Sequence, residues 1–271
     1  MATDQEEPGS TEPEAGTLFS AKEMHDHATE VAEEELDRPA VELIVSAVAS
    51  GLLVGFSFLA GAFLLHHGSP EHKELLVAAG YPLGFAFVVL AQHQLFTENT
   101  LEPVLPVLEK RDRESLRKML RLWAIVLPGN LVGTAIFGFV VARTPVLDPE
   151  MHGPLTEVAL DTMKGGAGLV FCKAIWAGWL IALMAWLLNA TRNTMAQIVL
   201  IWLATAPIAA FGFRHSIAGA TEAFYLVSRG SISVGDALLT FEVPALLGNI
   251  IGGVILVAMV NHGQAGGKPS S

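Results

Sequence analysis

Six long stretches of this chain contain no formally charged residue, and they constrain the fold more than any other feature. They cover residues 43–65, 75–97, 122–142, 174–191, 193–213 and 243–261. Each has about 18 or more residues, which is the length an α-helix needs to cross a ~30 Å hydrocarbon core. One such stretch could be a buried helix of a soluble domain, but six in 271 residues leave little chain for one. The sequence therefore predicts an all-α integral membrane protein with six transmembrane helices.

The net charge of −11 belongs almost entirely to the N-terminal tail. Residues 1–38 hold twelve acidic residues against Lys22 and Arg38, so the remaining 233 residues carry a net charge of only −1. No basic patch is available to neutralise phosphates, which argues against nucleic-acid binding. We divide the chain into an acidic cytoplasmic tail with a short helix (1–38), a transmembrane domain (39–264) and a short cytoplasmic tail (265–271).

Two features predict structure within the acidic tail. Residues 1–16 are acidic and rich in Pro, Gly, Ser and Thr, so we expect them to be disordered. Ser20 and Glu23 have the spacing of a capping box, which predicts that a helix begins there. We expect this helix to lie at the cytoplasmic mouth of the transmembrane domain.

The distribution of basic residues predicts the orientation in the membrane. The loop after the second stretch contains Lys110, Arg111, Arg113, Arg117, Lys118 and Arg121. Loops rich in Lys and Arg remain in the cytoplasm. Both termini are then cytoplasmic, residues 143–165 lie outside, and the protein is expected in the cell (inner) membrane.

The sequence nearly repeats itself at an offset of 119 residues. GNLVG at 129–133 matches GNIIG at 248–252, and LFT at 95–97 falls on RHS at 214–216. We expect the same offset to carry the first span onto the fourth. Because each repeat has three spans, the two halves should be inverted relative to the membrane, and corresponding interrupted helices in such halves mark a transport site.

Both repeats contain an interrupted span. The second span is expected to run to Phe96 and to break at 97–100, and the fifth to run to Phe211 and to break at 212–216. Irregular backbone at membrane depth is tolerated only inside the protein or along a wet cavity. We therefore expect helices 2 and 5 to be broken and their breaks to face each other around a pore.

Four motifs resemble the formate/nitrite transporter family: LFTEN, GNLVG, GFRHSIA and GNIIGG, within a resemblance that covers residues 38–263. The family implies an aquaporin-like protomer of six helices, a homopentamer in the lipid bilayer, and one pore per protomer for small monovalent anions such as formate or nitrite, or for their conjugate acids. We expect no cofactor and no enzymatic activity.

The resemblance also assigns residues to the pore. His215 matches the central pore histidine, Thr97 the hydroxyl that faces it, and Lys164 a lysine at the outer mouth. The full substrate-pore set is His215, Thr97, Lys164, Asn249, Arg214 and Glu98. The constriction set is Phe85, Leu95, Ile208, Tyr81 and Phe96.

Three positions depart from the family pattern. Gly178 stands where better-known members have an asparagine near the central histidine. Arg214 stands where some members have a glutamate, and Glu98 where many have a small residue. These departures bear on the substrate more than on the fold.

The chemistry expected of these side chains has structural alternatives. A neutral imidazole at His215 offers an N–H to an anion, and a protonated one can pair with the anion and hand over a proton; alternatively the ring bonds only to loop carbonyls. Lys164 either attracts anions or extends to lipid phosphates. Asn249 and its counterpart Asn130 more often bridge helices than touch substrate. Lys173 is expected to form a structural pair with an acidic residue on a neighbouring helix, for which Glu222 is a candidate.

Other classes of protein receive less support. The histidines at 66, 67 and 72 lack metal-site spacing, and no hydrolase, metalloprotease or P-loop motif is present. An aquaporin-like pore for neutral solutes is disfavoured because the Asn-Pro-Ala pair is missing. A membrane scaffold or regulator with a sealed pore stays open, because Phe85 at a constriction is bulky.

Overall fold

The computed structural model describes residues 19–263, and the regular elements within that range are all helical. The helices are α1 (Ala21–Asp37), α2 (Ala40–His67), α3 (Lys73–Gly80), α4 (Pro82–Leu90), α5 (Val104–Lys110), α6 (Arg113–Arg143), α7 (His152–Thr162), α8 (Gly166–Leu188), α9 (Thr194–Ala210), α10 (Ser216–Arg229), α11 (Val234–Asp236) and α12 (Val243–Gly263). Short 3-10 helices precede α3, α5 and α7, and a π-helical segment, Ala237–Glu242, leads into α12. The expectations for residues 1–16 and 265–271 fall outside this range.

Helices long and apolar enough to cross a membrane account for most of the described chain. Five such segments are Ala40–His67, Pro70–Leu90, Arg113–Arg143, Gly166–Leu188 and Val234–Leu256. Helix α9 covers the predicted fifth span but, at 17 residues, is shorter than these five. Large apolar side chains such as Leu203 (67% exposed) and Trp176 (58% exposed) point outward. An all-helical integral membrane protein is therefore confirmed.

Helix α1 begins at the predicted capping box. Ser20 Oγ accepts from the Glu23 N–H at 3.3 Å, and the Glu23 carboxylate accepts from the Ser20 N–H at 2.7 Å. At the other end, Lys118 of α6 pairs with Asp37 at 2.7 Å. The hydrogen bond from Lys118 lowers the pKa of the Asp37 carboxyl below its ordinary value. These contacts fix both ends of α1.

Two helix pairs, α2 with α6 and α8 with α12, cross in the same way. A Cβ added at Gly51 would overlap the backbone oxygen of Asn130, and one added at Gly178 would overlap that of Asn249. Each crossing therefore requires glycine, because the two backbones approach too closely for any side chain. The departure at Gly178 thus has a packing reason in this chain.

These two crossings show that a single repeat offset of 119 does not hold along the whole repeat. The two asparagines are 119 apart (249 − 130), but Gly51 and Gly178 are 127 apart (178 − 51). The expectation that the offset of 119 carries the first span onto the fourth is therefore wrong. The physical reason is a difference in chain length between crossing and break. Gln92 in the first break lies 41 residues after Gly51, whereas Gly212 in the second break lies 34 residues after Gly178, which is seven fewer.

Both broken helices leave the helical path through the same backbone turn. Gln92 (φ 54°) follows α4, and Gly212 (φ 59°) follows α9, and both lie in the left-handed region. In each turn the next N–H reaches five residues back: His93 N–H to the Val88 carbonyl at 3.0 Å, and Phe213 N–H to that of Ile208 at 2.8 Å. Within the breaks the offset is therefore 120, and Leu95 rather than Phe96 corresponds to His215.

The first break also begins earlier than the sequence predicts. Helix α4 ends at Leu90, so the expectation that the second span runs to Phe96 is wrong. An irregular segment from residue 91 to 97 and a 3-10 turn lead into α5. Helix α9 ends at Ala210, one residue before the predicted end.

Candidate functional site

Asn130 holds the first break in place. Its side-chain oxygen accepts from the Phe96 N–H at 2.8 Å, and its amide nitrogen donates to the carbonyls of Ala47 (2.8 Å) and Gln94 (2.9 Å). The side chain is fully buried. It therefore satisfies backbone groups that the interrupted helix leaves without partners.

Asn249 does the same for the second break. Its oxygen accepts from the Ser216 N–H at 2.8 Å, and its nitrogen donates to the carbonyls of Ala174 (2.8 Å) and Arg214 (2.9 Å). All three contacts are to backbone, and Asn249 lies outside the linings of the two cavities described below. These are the helix-bridging contacts that we expected for Asn249 as the alternative to contact with substrate.

Thr97 and His215 meet where the two breaks approach each other. Thr97 Oγ1 lies 2.8 Å from His215 Nε2, and the two residues are 0% and 2% exposed. The link spans 118 residues of sequence and joins the two halves of the chain. Both side chains are therefore held at the centre of the molecule.

The other ring nitrogen of His215 caps helix α10. Nδ1 accepts from the Ala218 N–H at 3.0 Å, which makes His215 the N-cap of that helix. A neutral imidazole has one donor and one acceptor nitrogen, so this hydrogen bond assigns the proton to Nε2. His215 therefore donates to Thr97, whose own hydroxyl hydrogen remains available.

Buried apolar side chains surround this pair. The Phe85 ring packs edge-on against His215, with centroids 5.1 Å apart and an interplanar angle of 86°, and Tyr81 packs on Phe85 at 5.3 Å. Phe85 and Leu95 are both 0% exposed. Phe96 of the predicted constriction set points elsewhere, because its ring contacts Trp123 with centroids 5.5 Å apart.

A cavity of about 390 Å³ reaches His215 from one side. We call it the basic cavity, because its lining includes the four cationic residues Lys73, Lys164, Lys173 and Arg214. Tyr81 and Ile208 of the predicted constriction set contribute to its wall. The structure therefore places His215, Arg214 and Lys164 around one space.

The cationic side chains of the basic cavity differ in solvent exposure and in the number of hydrogen bonds that hold them. Arg214 is 7% exposed and donates to the carbonyls of Gly212 and Asp161, both at 2.8 Å. Lys164 has a side chain 73% exposed and pairs with the Asp161 carboxylate. The guanidinium is thus fixed deep in the cavity, whereas the ammonium of Lys164 stands at its mouth.

The expected pair between Lys173 and Glu222 does not form. No ion pair joins them within residues 19–263, and Lys173 instead approaches Gly212. Arg214 of the second break, not Lys173, is the buried cation that shares the basic cavity with Glu222, since both side chains are buried and line that cavity. The sequence analysis did not place Glu222 in the same cavity as Arg214 and His215. The signal was present, because Glu222 lies seven residues after His215, two turns along the same face of α10.

A second cavity, of about 900 Å³, opens on the opposite side of Leu95. We call it the acidic cavity, because its lining contains Glu34, Glu35, Glu42, Glu98 and Glu102 against a single arginine, Arg38. Glu98 Oε1 is buried without a hydrogen-bond partner among the described residues. Glu98 and Thr97 thus belong to different environments, although they are adjacent in sequence.

Two cavities lined by charged residues on either side of a buried centre, in a protein of membrane-length helices, are typical of membrane transport proteins of the channel or transporter class. Residues 22–263 match the family described as formate/nitrite transporter. The chain belongs to that family. Its members are transporters and channels, which supports the expectation of a non-enzymatic protein.

Individual relatives agree with this assignment. The chain is 38% identical over 245 residues to the inner membrane protein YfdC of Escherichia coli, covering 90% of this chain and 78% of that protein. It is 29% identical over 240 residues to a probable formate transporter of Methanothermobacter thermautotrophicus, covering 77% of this chain and 86% of that protein.

Solved structures share the fold. One, described as an FNT family ion channel, has a TM-score of 0.73 at 22% identity and covers 88% of this chain and 96% of its own. Another, described as a pentameric formate channel with formate bound, has a TM-score of 0.68 at 20% identity and covers 81% and 95%.

Proposed function

We propose that this protein is a channel or transporter for small monovalent anions such as formate or nitrite, or for their conjugate acids. The observation that carries the proposal is the pairing of His215 with Thr97 at the end of a cavity lined by cations. A buried ionisable side chain at a helix break within a membrane protein is a functional candidate by default. Here its donor nitrogen faces the point where the passage closes.

The cations act first in the proposed mechanism. Lys164 and Lys73 raise the local concentration of anions at the mouth, and Arg214 offers a fixed guanidinium deeper in the basic cavity. At the closed centre the substrate, as the anion or its conjugate acid, exchanges water for the Nε2–H of His215 and the hydroxyl of Thr97. Donors without a permanent charge suit this position, because a fixed cation would bind the anion and hold it.

The contribution proposed for His215 is a hydrogen bond. A second proton on the ring would sit on Nδ1, which already accepts from the Ala218 N–H. Protonation would therefore uncap α10 and cost about 0.5–2 kcal/mol in addition to the burial of charge. The neutral tautomer is the form that both leaves the helix capped and serves an anion.

The proposed architecture follows the family. We propose six membrane crossings in two inverted three-helix halves, with α9 and α10 together forming the fifth crossing and both termini in the cytoplasm. The basic cavity then opens to the outside and the acidic cavity to the cytoplasm, with the 1–38 segment at its mouth. By analogy with the pentameric formate channel, we propose a homopentamer with a pore in each protomer.

Flux through the purified protein tests the function. The full chain in liposomes should pass formate and nitrite well above the leak of empty liposomes, and glycerol no faster than that leak. Glycerol flux without anion flux would indicate a neutral-solute pore. No flux of any of these solutes, with the oligomer intact by native mass spectrometry, would favour the sealed scaffold.

Thr97→Val should reduce formate flux by a few-fold. Valine has a similar shape but removes the hydroxyl that accepts from His215 and faces the closed centre. Water can replace one hydroxyl, so the expected loss is about 1 kcal/mol, or about fivefold. Thr97→Ser should keep most of the flux in the same assay, and equal flux for the wild-type and valine proteins would argue against a role for this hydroxyl.

A further inference from the structure

Glu222 and Arg214 share the basic cavity without pairing with each other. Glu222 is 4% exposed and its Oε2 has no hydrogen-bond partner among the described residues. Arg214 is 7% exposed, and its Nε is likewise without a partner within residues 19–263. Both side chains line the cavity that ends at His215. A buried carboxyl and a buried guanidinium therefore stand over one space, each with bonding capacity left for something else.

The surroundings of Glu222 contain several other charges. The ionisable groups that line the same cavity are Lys73 and Glu74 of α3, Tyr81 between α3 and α4, Asp161 of α7, Lys164 after α7, Lys173 of α8, and Arg214 and His215 of the second break. Asp161 is already engaged by Lys73 and Lys164. Glu74 lies on the exposed surface. Glu222 is thus the one carboxyl of the lining that is both buried and outside an ion pair.

We propose that Glu222 is a proton-binding residue that, together with Arg214, admits a small carboxylate and a proton into the basic cavity as a pair. The proposal rests on the anion transport proposed above and specifies how the anion loses its charge before the closed centre. The chemical class of substrate it favours is a weak monocarboxylic acid such as formic acid.

The electrostatics of the cavity support this coupling. With the cavity free of substrate, an ionised Glu222 balances the fixed positive charge of Arg214. A carboxylate that docks on the Arg214 guanidinium adds a second negative charge to a small space of low dielectric. Two carboxylates cannot both remain ionised at low cost in such a site, so a proton from the external water is taken up by Glu222.

The proton then moves from Glu222 to the substrate. The O–H bond of the Glu222 carboxyl breaks, and a new O–H bond forms on the carboxylate of formate, giving neutral formic acid. Glu222 is left as a carboxylate that again balances Arg214. The neutral acid crosses the centre beside His215 and Thr97, so one proton and one anion move together. This assigns the proton to Glu222 and leaves His215 as a neutral donor.

Proton and formate fluxes measured together test the proposal. In liposomes containing the full-length protein, formate uptake should carry one proton per anion, read from an internal pH dye. Glu222→Gln keeps the shape of the side chain but cannot release a proton. It should lower formate-driven proton entry at least tenfold, and Glu222→Asp should restore part of it. Glu150→Gln changes an exposed carboxylate outside both cavities and should behave as wild type.

A second measurement applies if Glu222→Gln passes no formate. Formate added to the unbuffered, detergent-purified wild-type pentamer should cause uptake of about one proton per bound anion, and Glu222→Gln should abolish this uptake. A variant that retains wild-type proton coupling in either assay overturns the role of Glu222. Absence of formate and nitrite flux in the wild-type protein would instead overturn the proposed function.

Discussion

Replacing His215 with phenylalanine should reduce formate flux to that of empty liposomes. The imidazole lies 2.8 Å from Thr97 and in edge contact with Phe85, so a second phenyl ring would fill the centre of the passage with apolar atoms. It would also remove the N-cap of α10. The substrate would then find no donor at the narrowest point, and a polar group buried there without a hydrogen bond costs about 2–7 kcal/mol.

Two further substitutions separate the roles of the two ring nitrogens. His215→Asn retains an acceptor for the Ala218 N–H, since asparagine is a good N-cap, but its amide does not reach Thr97. His215→Gln can place an N–H near the position of Nε2 but caps poorly. If the donor matters, glutamine should keep more flux than asparagine. The asparagine variant should be reduced about 5- to 150-fold, because a buried polar group of the substrate that is left without a partner costs about 1–3 kcal/mol.

The control for this series is His152→Asn, which changes a histidine on α7 that lines neither cavity. It should pass formate as the wild type does. Each variant should first be shown to have the wild-type oligomeric size. If His215→Asn matches the wild type in rate while remaining assembled, the histidine serves only as a helix cap and the proposed mechanism is wrong.

Adding a single methyl group at Gly178 should destabilise the protein severely. The Cβ of Gly178→Ala would overlap the backbone oxygen of Asn249, so α8 and α12 must separate. That separation also stretches the hydrogen bonds by which Asn249 holds the second break. Overpacking costs about 1–3 kcal/mol, and each backbone group left without a partner about 1–3 kcal/mol more.

Gly168→Ala provides a matched control on the same helix. A Cβ at Gly168 meets no atom within 4 Å, so this variant should be as stable as wild type or slightly more, by about 0.5–1 kcal/mol. Gly51→Ala should behave like Gly178→Ala, because Gly51 has the equivalent contact with Asn130. Thermal unfolding followed by size-exclusion chromatography checks all three, and a Gly178→Ala protein with wild-type Tm would contradict the packing account.

The sequence located the two breaks but not their shape. Polar and proline residues after LFT, and the glycine of GFRHS, marked both positions, because such residues interrupt a helix whatever surrounds them. The end of the second span was placed at Phe96 instead of Leu90, since residues 91–96 contain no formally charged side chain and therefore did not mark the end of the uncharged stretch. What holds them in an irregular path is Asn130, which is 34 residues away from Phe96.

The candidate site, too, was predicted from the sequence only in part. The pairing of Thr97 with His215 was expected from the family resemblance, whereas the tautomer depends on the Ala218 N–H and requires the backbone geometry. The predicted pair of Lys173 and Glu222 failed because charge alone does not fix direction. Arg214 is anchored by the carbonyls of Gly212 and Asp161, and its guanidinium is thereby held in the cavity that Glu222 also lines.

The dry segment between the basic and acidic cavities determines where the membrane voltage acts. In the proposed arrangement the two cavities open to opposite sides of the membrane, and water and ions that enter them carry the bulk potential inward from each side. The voltage then falls almost wholly across the short apolar segment formed by Phe85 and Leu95. A bare anion would perform nearly its full electrical work there, about 2.3 kcal/mol per 100 mV. Moving a neutral acid across the same segment involves no electrical work, so the rate of its transport should be independent of the membrane voltage.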